Sequence, residues 1–136
     1  MKQNFARFDK YKVIEENEAM YEEYMMDDAE ICIAAFGIAS RVAKNAIVEA
    51  RAKGIKVGMI RPITLWPFPT EVLNKAADKC KAFISVEMNM GQMIEDVKLA
   101  IECKKPVELC CRVGGMIPSP EEVLEKIEEA NKGGER

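Results

Sequence analysis

Histidine is absent from all 136 residues. Its absence removes the commonest general base and every triad built on it, which lowers the expectation of an independent enzyme without excluding one. Zinc also loses its usual nitrogen ligand. Cysteine does not fill the gap. Cys32, Cys80, Cys103, Cys110 and Cys111 are odd in number, irregularly spaced and never form C-x-x-C. Neither a zinc site nor a cysteine-ligated iron–sulfur cluster is therefore expected within the chain. Three of the five lie in or beside apolar runs and read as small, reduced core residues, a usage that fits a reducing cytoplasm. No apolar run approaches the ~20 residues of a membrane span. Met1 to Lys12 lacks the apolar stretch of a secretory signal. The formal net charge is only −3, so no nucleic-acid or membrane partner is expected from bulk electrostatics.

What is present suits one soluble domain. Apolar residues make up 49% and charged residues 32%, enough for a core and a solvated surface. From Asn4 to about Met26, Phe5, Phe8 and Tyr11, then Tyr21 and Tyr24, recur at helical spacing among many glutamates. The pattern predicts a helix with a narrow apolar stripe, connecting to something it packs against outside this chain. Residues 1–28 are accordingly expected to be a linker helix and 29–136 the folded domain.

Beyond Glu30 the chain alternates. Ile31-Cys32-Ile33-Ala34-Ala35-Phe36 is a continuous apolar run, the signature of a strand buried on both faces. Ile38 to Lys53 reads as a helix with Ile38, Val42, Ala46, Ile47 and Ala50 as its apolar positions, stopped by Gly54. Ile55 to Ile60 reads as a strand ended by Arg61-Pro62, since proline cannot donate to a ladder. Pro69 opens a helix running to about Lys79 that buries Val72, Leu73, Ala76 and Ala77. Ala82 to Glu87 is a strand. Gln92 to Glu102 is a helix using Met93, Ile94, Val97 and Ile101. Pro106 to Cys111 is a fourth strand. Ser119-Pro120-Glu121-Glu122 is a strong helix start, and that helix uses Val123, Leu124, Ile127 and Ala130, fraying over Asn131 to Arg136. This alternation predicts an α/β fold with a mainly parallel sheet and helices on both faces.

Ligands and partners of such sheets gather at the carboxyl ends of the strands, so four loops are candidates. Gly37 to Ser40 reads as a tight βα turn, with an anion site at the helix N-terminus as the alternative; neither phosphate-binding glycine motif is present. Arg61, Pro62, Thr64, Trp66 and Phe68 lie on a loop stiffened by prolines, which suits a protein interface or a flap over the sheet edge. Glu87 closes a strand before Asn89, Gly91 and Gln92. It is expected to cap backbone amides or pair with Arg61 or Arg112, with acid–base chemistry the alternative. Arg112, Gly114 and Gly115 suit a partner or phosphate contact and a turn equally well. The methionines read as fillers of core gaps and soft interfaces. No catalytic constellation emerges.

Several of these segments together resemble a known family. Ile55-Lys-Val-Gly-Met-Ile-Arg-Pro-Ile-Thr-Leu-Trp-Pro-Phe-Pro69 resembles the strand and loop of transketolase C-terminal domains, most closely those in alpha subunits of 2-oxoacid:ferredoxin oxidoreductases. Val86-Glu-Met-Asn-Met-Gly-Gln-Met-Ile-Glu-Asp-Val97 and Arg112-Val-Gly-Gly-Met-Ile-Pro-Ser-Pro-Glu-Glu-Val-Leu124 are similar to the elements that follow. Tyr11 to Tyr24 is similar to the linker of the branched-chain (ketoisovalerate) type. The resemblance implies a three-layer α/β/α sandwich with a mixed five-stranded sheet. Four strands are visible in the pattern; the fifth is expected around Arg112 or in the N-terminal segment. The family oxidatively decarboxylates a 2-oxoacid to an acyl-CoA and passes electrons to ferredoxin. Its thiamine diphosphate, Mg, iron–sulfur clusters and CoA imply cofactors for a whole complex and none in this chain. The implied partners are a diphosphate-binding subunit, a ferredoxin-like subunit, a gamma subunit and an N-terminal pyrimidine-side domain outside these 136 residues. Met1 is then either an excised start or the start of a split gene. The rival expectations are a stand-alone CoA- or nucleotide-binding module, using Gly37 to Ser40 and Gly114-Gly115, and a free-standing regulatory interaction protein.

Overall fold

The structure, a computed structural model, describes residues 1–133. Helix α1 (Lys2–Asn17) precedes strands β1 (Tyr21–Tyr24) and β2 (Ile31–Ala35), helix α2 (Gly37–Ala52), β3 (Val57–Pro62), α3 (Thr70–Lys79), β4 (Ala82–Glu87), α4 (Met93–Ala100), β5 (Val107–Cys111) and α5 (Pro120–Gly133). The five strands form one sheet in the order β1-β3-β2-β4-β5. The last four strands are parallel, and β1 adds antiparallel to the β3 edge.

Both faces of the sheet are covered, which explains the apolar run in β2. Ile31, Ile33 and Ala35 point into a cluster with α2 and α5. Cys32 and Ala34 point the other way, into a cluster with α3, α4 and Phe83. All five β2 residues are fully buried. Helix α2 meets the sheet mainly through small side chains, Ala39, Ala43, Ala46 and Ala50, with Ile47. Of the expected face, Ala46, Ile47 and Ala50 are buried and Val42 packs half-buried on the core, but Ile38 is exposed, which corrects that one position. Ile38 sits in the first turn, beyond the strand end. Burial pushes the thiols of Cys80 and Cys110 up to about 11, and raises that of Cys32 well above its ordinary value. These three are inert core residues, as their apolar setting predicts.

The N-terminal segment holds the missing fifth strand, one of its two expected places, but departs from the expected unbroken helix to about Met26. The helix ends at Asn17, and Tyr21–Tyr24 is the fifth strand. The i, i+3 spacing of Tyr21 and Tyr24 looks helical, but the residues that share a face are Glu22 and Tyr24, alternating half-buried with exposed neighbours. Glu22 lies opposite Arg61 on β3. Tyr24 packs on the core beneath Lys44, whose ammonium stands 5.0 Å from the ring centroid. Pairing also satisfies the open edge of β3, which local helical spacing cannot report.

Strand β3 also runs two residues past the expected stop. Its parallel ladder with β2 ends at Ile60, so the missing N–H of Pro62 costs no bond there, and Pro62 instead sits opposite Tyr21. At the other end Ile55 packs on the core from outside the strand. The last helix is continuous to Gly133, so the expected fraying does not begin at Asn131; residues 134–136 lie outside the described residues.

Candidate functional site

The carboxyl ends of β2, β3, β4 and β5 share one end of the sheet. Chain connections diverge there: β2 leads to β3 on one side, whereas β4 leads to β5 on the other. The crevice between β2 and β4 is thus the topological switch point. Glu87 stands at its rim and is 1% exposed. One carboxylate oxygen, Oε2, accepts from the amides of Gln92 (2.8 Å) and Met93 (2.9 Å). The other, Oε1, accepts from the amide of Ile94 (2.8 Å) and the hydroxyl of Ser85 (2.7 Å). Burial by itself pushes this carboxyl up, but the donors from Gln92, Ser85, Met93 and Ile94 together outweigh it, leaving the pKa below the ordinary 4.5. Glu87 therefore caps α4 and closes the helix N-terminus to any outside anion. Its carboxylate pairs with the side chain of neither Arg61 nor Arg112, although the Arg112 amide donates to the Glu87 carbonyl at 3.2 Å, and with four donors on two oxygens it has no lone pair poised for proton transfer.

The turn that makes this possible is shaped by Asn89 and Gly91. Asn89 Oδ1 accepts from the Gly91 amide at 2.8 Å. Gly91 has φ +99°, and a Cβ there would stand 3.1 Å from both Ile94 Cγ2 and Leu109 Cδ2. The side chain of Gln92 is exposed.

On β3, Arg61 donates to Glu22 Oε2 at 2.8 Å, and Lys44 donates to Glu22 Oε1 at 2.7 Å. These cations hold the Glu22 carboxyl below its ordinary value. The Nε of Arg61 is buried without a hydrogen-bond partner. Thr64 staples the loop to the start of β1: its Oγ1 accepts from the Met20 amide (2.9 Å) and donates to the Pro67 carbonyl (2.8 Å). Pro62, Pro67 and Pro69 are buried, Phe68 is half-buried against the α3/α4 core, and Trp66 is 56% exposed after a cis Trp66–Pro67 bond. The loop thus both folds over the sheet edge and presents a large aromatic outward. Tyr11 of α1 meets that indole edge-to-face, with ring centroids 5.6 Å apart.

Just past β5, Arg112 pairs with Glu122. Glu122 Oε2 also accepts from the Ser119 amide (2.9 Å), while Ser119 Oγ accepts from the Glu122 amide (3.3 Å). This is a capping box, and it closes the N-terminus of α5 as Glu87 closes that of α4. Gly114 and Gly115 have φ +69° and +79°, and a Cβ on either would meet open space, so left-handed turn geometry accounts for both. Gly37 has φ +58°, and the Ser40 hydroxyl is turned back onto the Gly37 carbonyl at 2.6 Å.

The polar residues singled out from sequence are thus brought to one end of the sheet, but mostly bonded within the chain. Sequence reasoning picked out Trp66 as an interface residue but missed how far the apolar rim extends around these groups. Ile38, Ile63, Leu65, Met88, Met90, Val113, Met116 and Ile117 are all exposed, as is Trp66. Among exposed large apolar residues, only Val48 and Leu99 lie neither on these loops nor in the N-terminal segment up to Met25. Met88, Met90 and Met116 are therefore not core fillers, whereas Met26, Met59 and Met93 are. The available signal was the placing of apolar residues in βα loops, where solvation favours polar ones. Among the described residues no group of His, Cys, Asp or Glu side chains is arranged to hold a metal, and no helix is long and apolar enough to cross a membrane.

Comparison with known proteins is consistent across sequence and structure. Residues 29–123 match the family described as "Pyruvate:ferredoxin oxidoreductase core domain II". The ketoisovalerate oxidoreductase subunit VorB of Methanothermobacter marburgensis is 54% identical over 126 residues, 93% of this chain and 36% of that subunit. The 2-oxoglutarate synthase subunit KorA of the same organism is 39% identical over 101 residues, covering 74% of this chain and 27% of its own. The chain therefore spans about a third of the length of these relatives. In fold it is similar to the 2-oxoglutarate:ferredoxin oxidoreductase of Magnetococcus marinus, with TM-score 0.73 and 23% identity over 91% of this chain and 22% of that one. A split gene transketolase, solved as an inactive beta4 tetramer, gives TM-score 0.70 at 18% identity over 82% of this chain and 41% of its own.

Proposed function

The chain belongs to the family of pyruvate:ferredoxin oxidoreductase core domain II, and on that premise we propose that it is a docking and active-site-shaping domain of a 2-oxoacid:ferredoxin oxidoreductase. In this reading the body of the chain, β1 onward, is the domain of an alpha-type subunit, α1 is its linker, and the strand-end rim seats the rest of a cytoplasmic enzyme. The observation that carries it is the contrast at the sheet's carboxyl end: apart from the Arg61 Nε, the polar groups named there are mostly satisfied internally, while a rim of apolar side chains faces outward. A ligand site needs the reverse, convergent polar groups left open; a protein interface needs an apolar centre.

The branched-chain 2-oxoacids are the favoured substrates, because identity is higher to the ketoisovalerate relative than to the 2-oxoglutarate one. Thiamine diphosphate with its Mg, the iron–sulfur clusters and CoA belong to the diphosphate-binding, ferredoxin-like and gamma subunits and the pyrimidine-side domain, with ferredoxin the electron acceptor. Two helix N-termini at the strand ends, those of α4 and α5, are already capped from within the chain, which supports placing those groups elsewhere in the complex.

Tagging the chain in its native gene, isolating it without oxygen and identifying its companions by mass spectrometry tests the reading. Thiamine- and iron–sulfur-bearing polypeptides in one assembly, oxidising 2-oxoisovalerate with CoA and ferredoxin, are the expected result. A lone 15.3 kDa protein stabilised against heat by CoA or a nucleotide overturns it in favour of the binding module.

A further inference from the structure

Helix α1 is a helix without a core. None of its 16 residues is buried. In water a helix of ~12–15 residues is marginal on its own and relies on packing an apolar face. Its charges do not compensate: no acid stands in the first turn and no base in the last, while Lys2 opens it and Glu15 and Glu16 close it. That arrangement opposes the helix dipole at both ends. The apolar stripe advances by threes through Phe5, Phe8, Tyr11 and Ile14. Its two ends behave differently. Tyr11 stacks on Trp66 and Ile14 is half-buried, whereas Phe5 and Phe8 are each 65% exposed. The inner half of the stripe is seated on this domain and the outer half is bare.

We infer that α1 is a bridging helix whose outer half, anchored by Phe5 and Phe8, lies in a groove of the polypeptide that makes up the rest of the oxidoreductase. This deepens the proposed function and rests on it, since relatives in the family carry roughly two thirds of their length outside the region matched here. The mode is a helix in a groove, read by residues three and four apart. Charge specifies the groove further. The outer part of α1 carries Lys2, Arg7 and Lys10 against one acid, Asp9, so the groove has an apolar floor and an acidic wall. Thr64, holding the Met20 backbone beside Trp66, sets the direction in which the helix leaves the sheet.

Amide hydrogen exchange decides it, comparing the chain alone with the assembly isolated from its native cells. Residues 4–10 are expected to exchange at least about tenfold more slowly in the assembly. Replacing both anchors, Phe5→Ser with Phe8→Ser, is expected to weaken assembly by roughly tenfold or more while leaving the Tm of the isolated chain unchanged. Equal exchange in the two states, or undiminished assembly of the double variant, overturns the inference and leaves the functional reading standing. Protection of α1 in the isolated chain that grows with its concentration overturns it in favour of a second copy as the occupant. An assembly without oxidoreductase subunits overturns the functional reading, and the inference falls with it.

Discussion

At the scale of single residues, Glu87 carries the most structural weight at the strand ends. A buried carboxylate is costly by itself, and here three amides and a hydroxyl offset that cost. Glu87→Gln would keep the shape but turn an NH2 toward backbone donors, so urea unfolding at neutral pH should show a loss of about 2–3 kcal/mol. The pH dependence has a definite sign. The folded carboxyl titrates below the ordinary 4.5, so its stabilisation is present above 4.5 and is lost as pH falls through the lower folded value. Melts followed from neutral pH into that acid range should therefore converge for the wild type and Glu87→Gln. Gly91 is the second exacting position. A Cβ there meets Ile94 and Leu109 at 3.1 Å on a left-handed backbone, and Gly91→Ala should lower stability by about 1–3 kcal/mol in the same melts. Sequence inspection placed Glu87 among capping and pairing roles but could not choose, because its partners are the amides of a turn whose path only the fold defines.

At the scale of elements, what was readable depended on how local the signal was. Helix α3 lies where Pro69, Val72, Leu73, Ala76 and Ala77 put it, and β4 spans the expected Ala82–Glu87. Helix α5 begins at a capping box written within four residues, between Ser119 and Glu122. Ser119→Ala should cost about 1 kcal/mol, detectable as a lowered midpoint in thermal unfolding. Strand β1 was not readable because it has four residues, two of them glutamates, and exists by pairing with β3. Its role is to cover an edge. The extension of β3 to Pro62 has the same origin: a proline is tolerated where the β2 ladder has already stopped.

At the scale of the whole molecule, the division is between a body packed on both faces of its sheet and a strand-end rim and N-terminal helix whose apolar side chains are exposed. Trp66 is more than half exposed and lies outside both core clusters. Trp66→Ala should therefore leave the Tm of the isolated chain nearly unchanged, with at most the helical signal of α1 reduced by the loss of its Tyr11 contact, while weakening assembly; an unfolded variant would refute the proposed interface role. The sequence by itself determined the alternating α/β order, the two-faced burial of β2, the cap of α5 and, through four ordered segments, the family. Each of these is encoded in neighbouring residues or in a short period along the chain. Only the tertiary structure decided which side chains face outward at the strand ends, where Glu87 spends its oxygens, that Tyr21–Tyr24 is a strand, and that α1 is seated at one end and bare at the other. Those facts depend on contacts between residues far apart in the chain, such as Glu22 with Arg61 and Tyr11 with Trp66, and no local pattern carries that information.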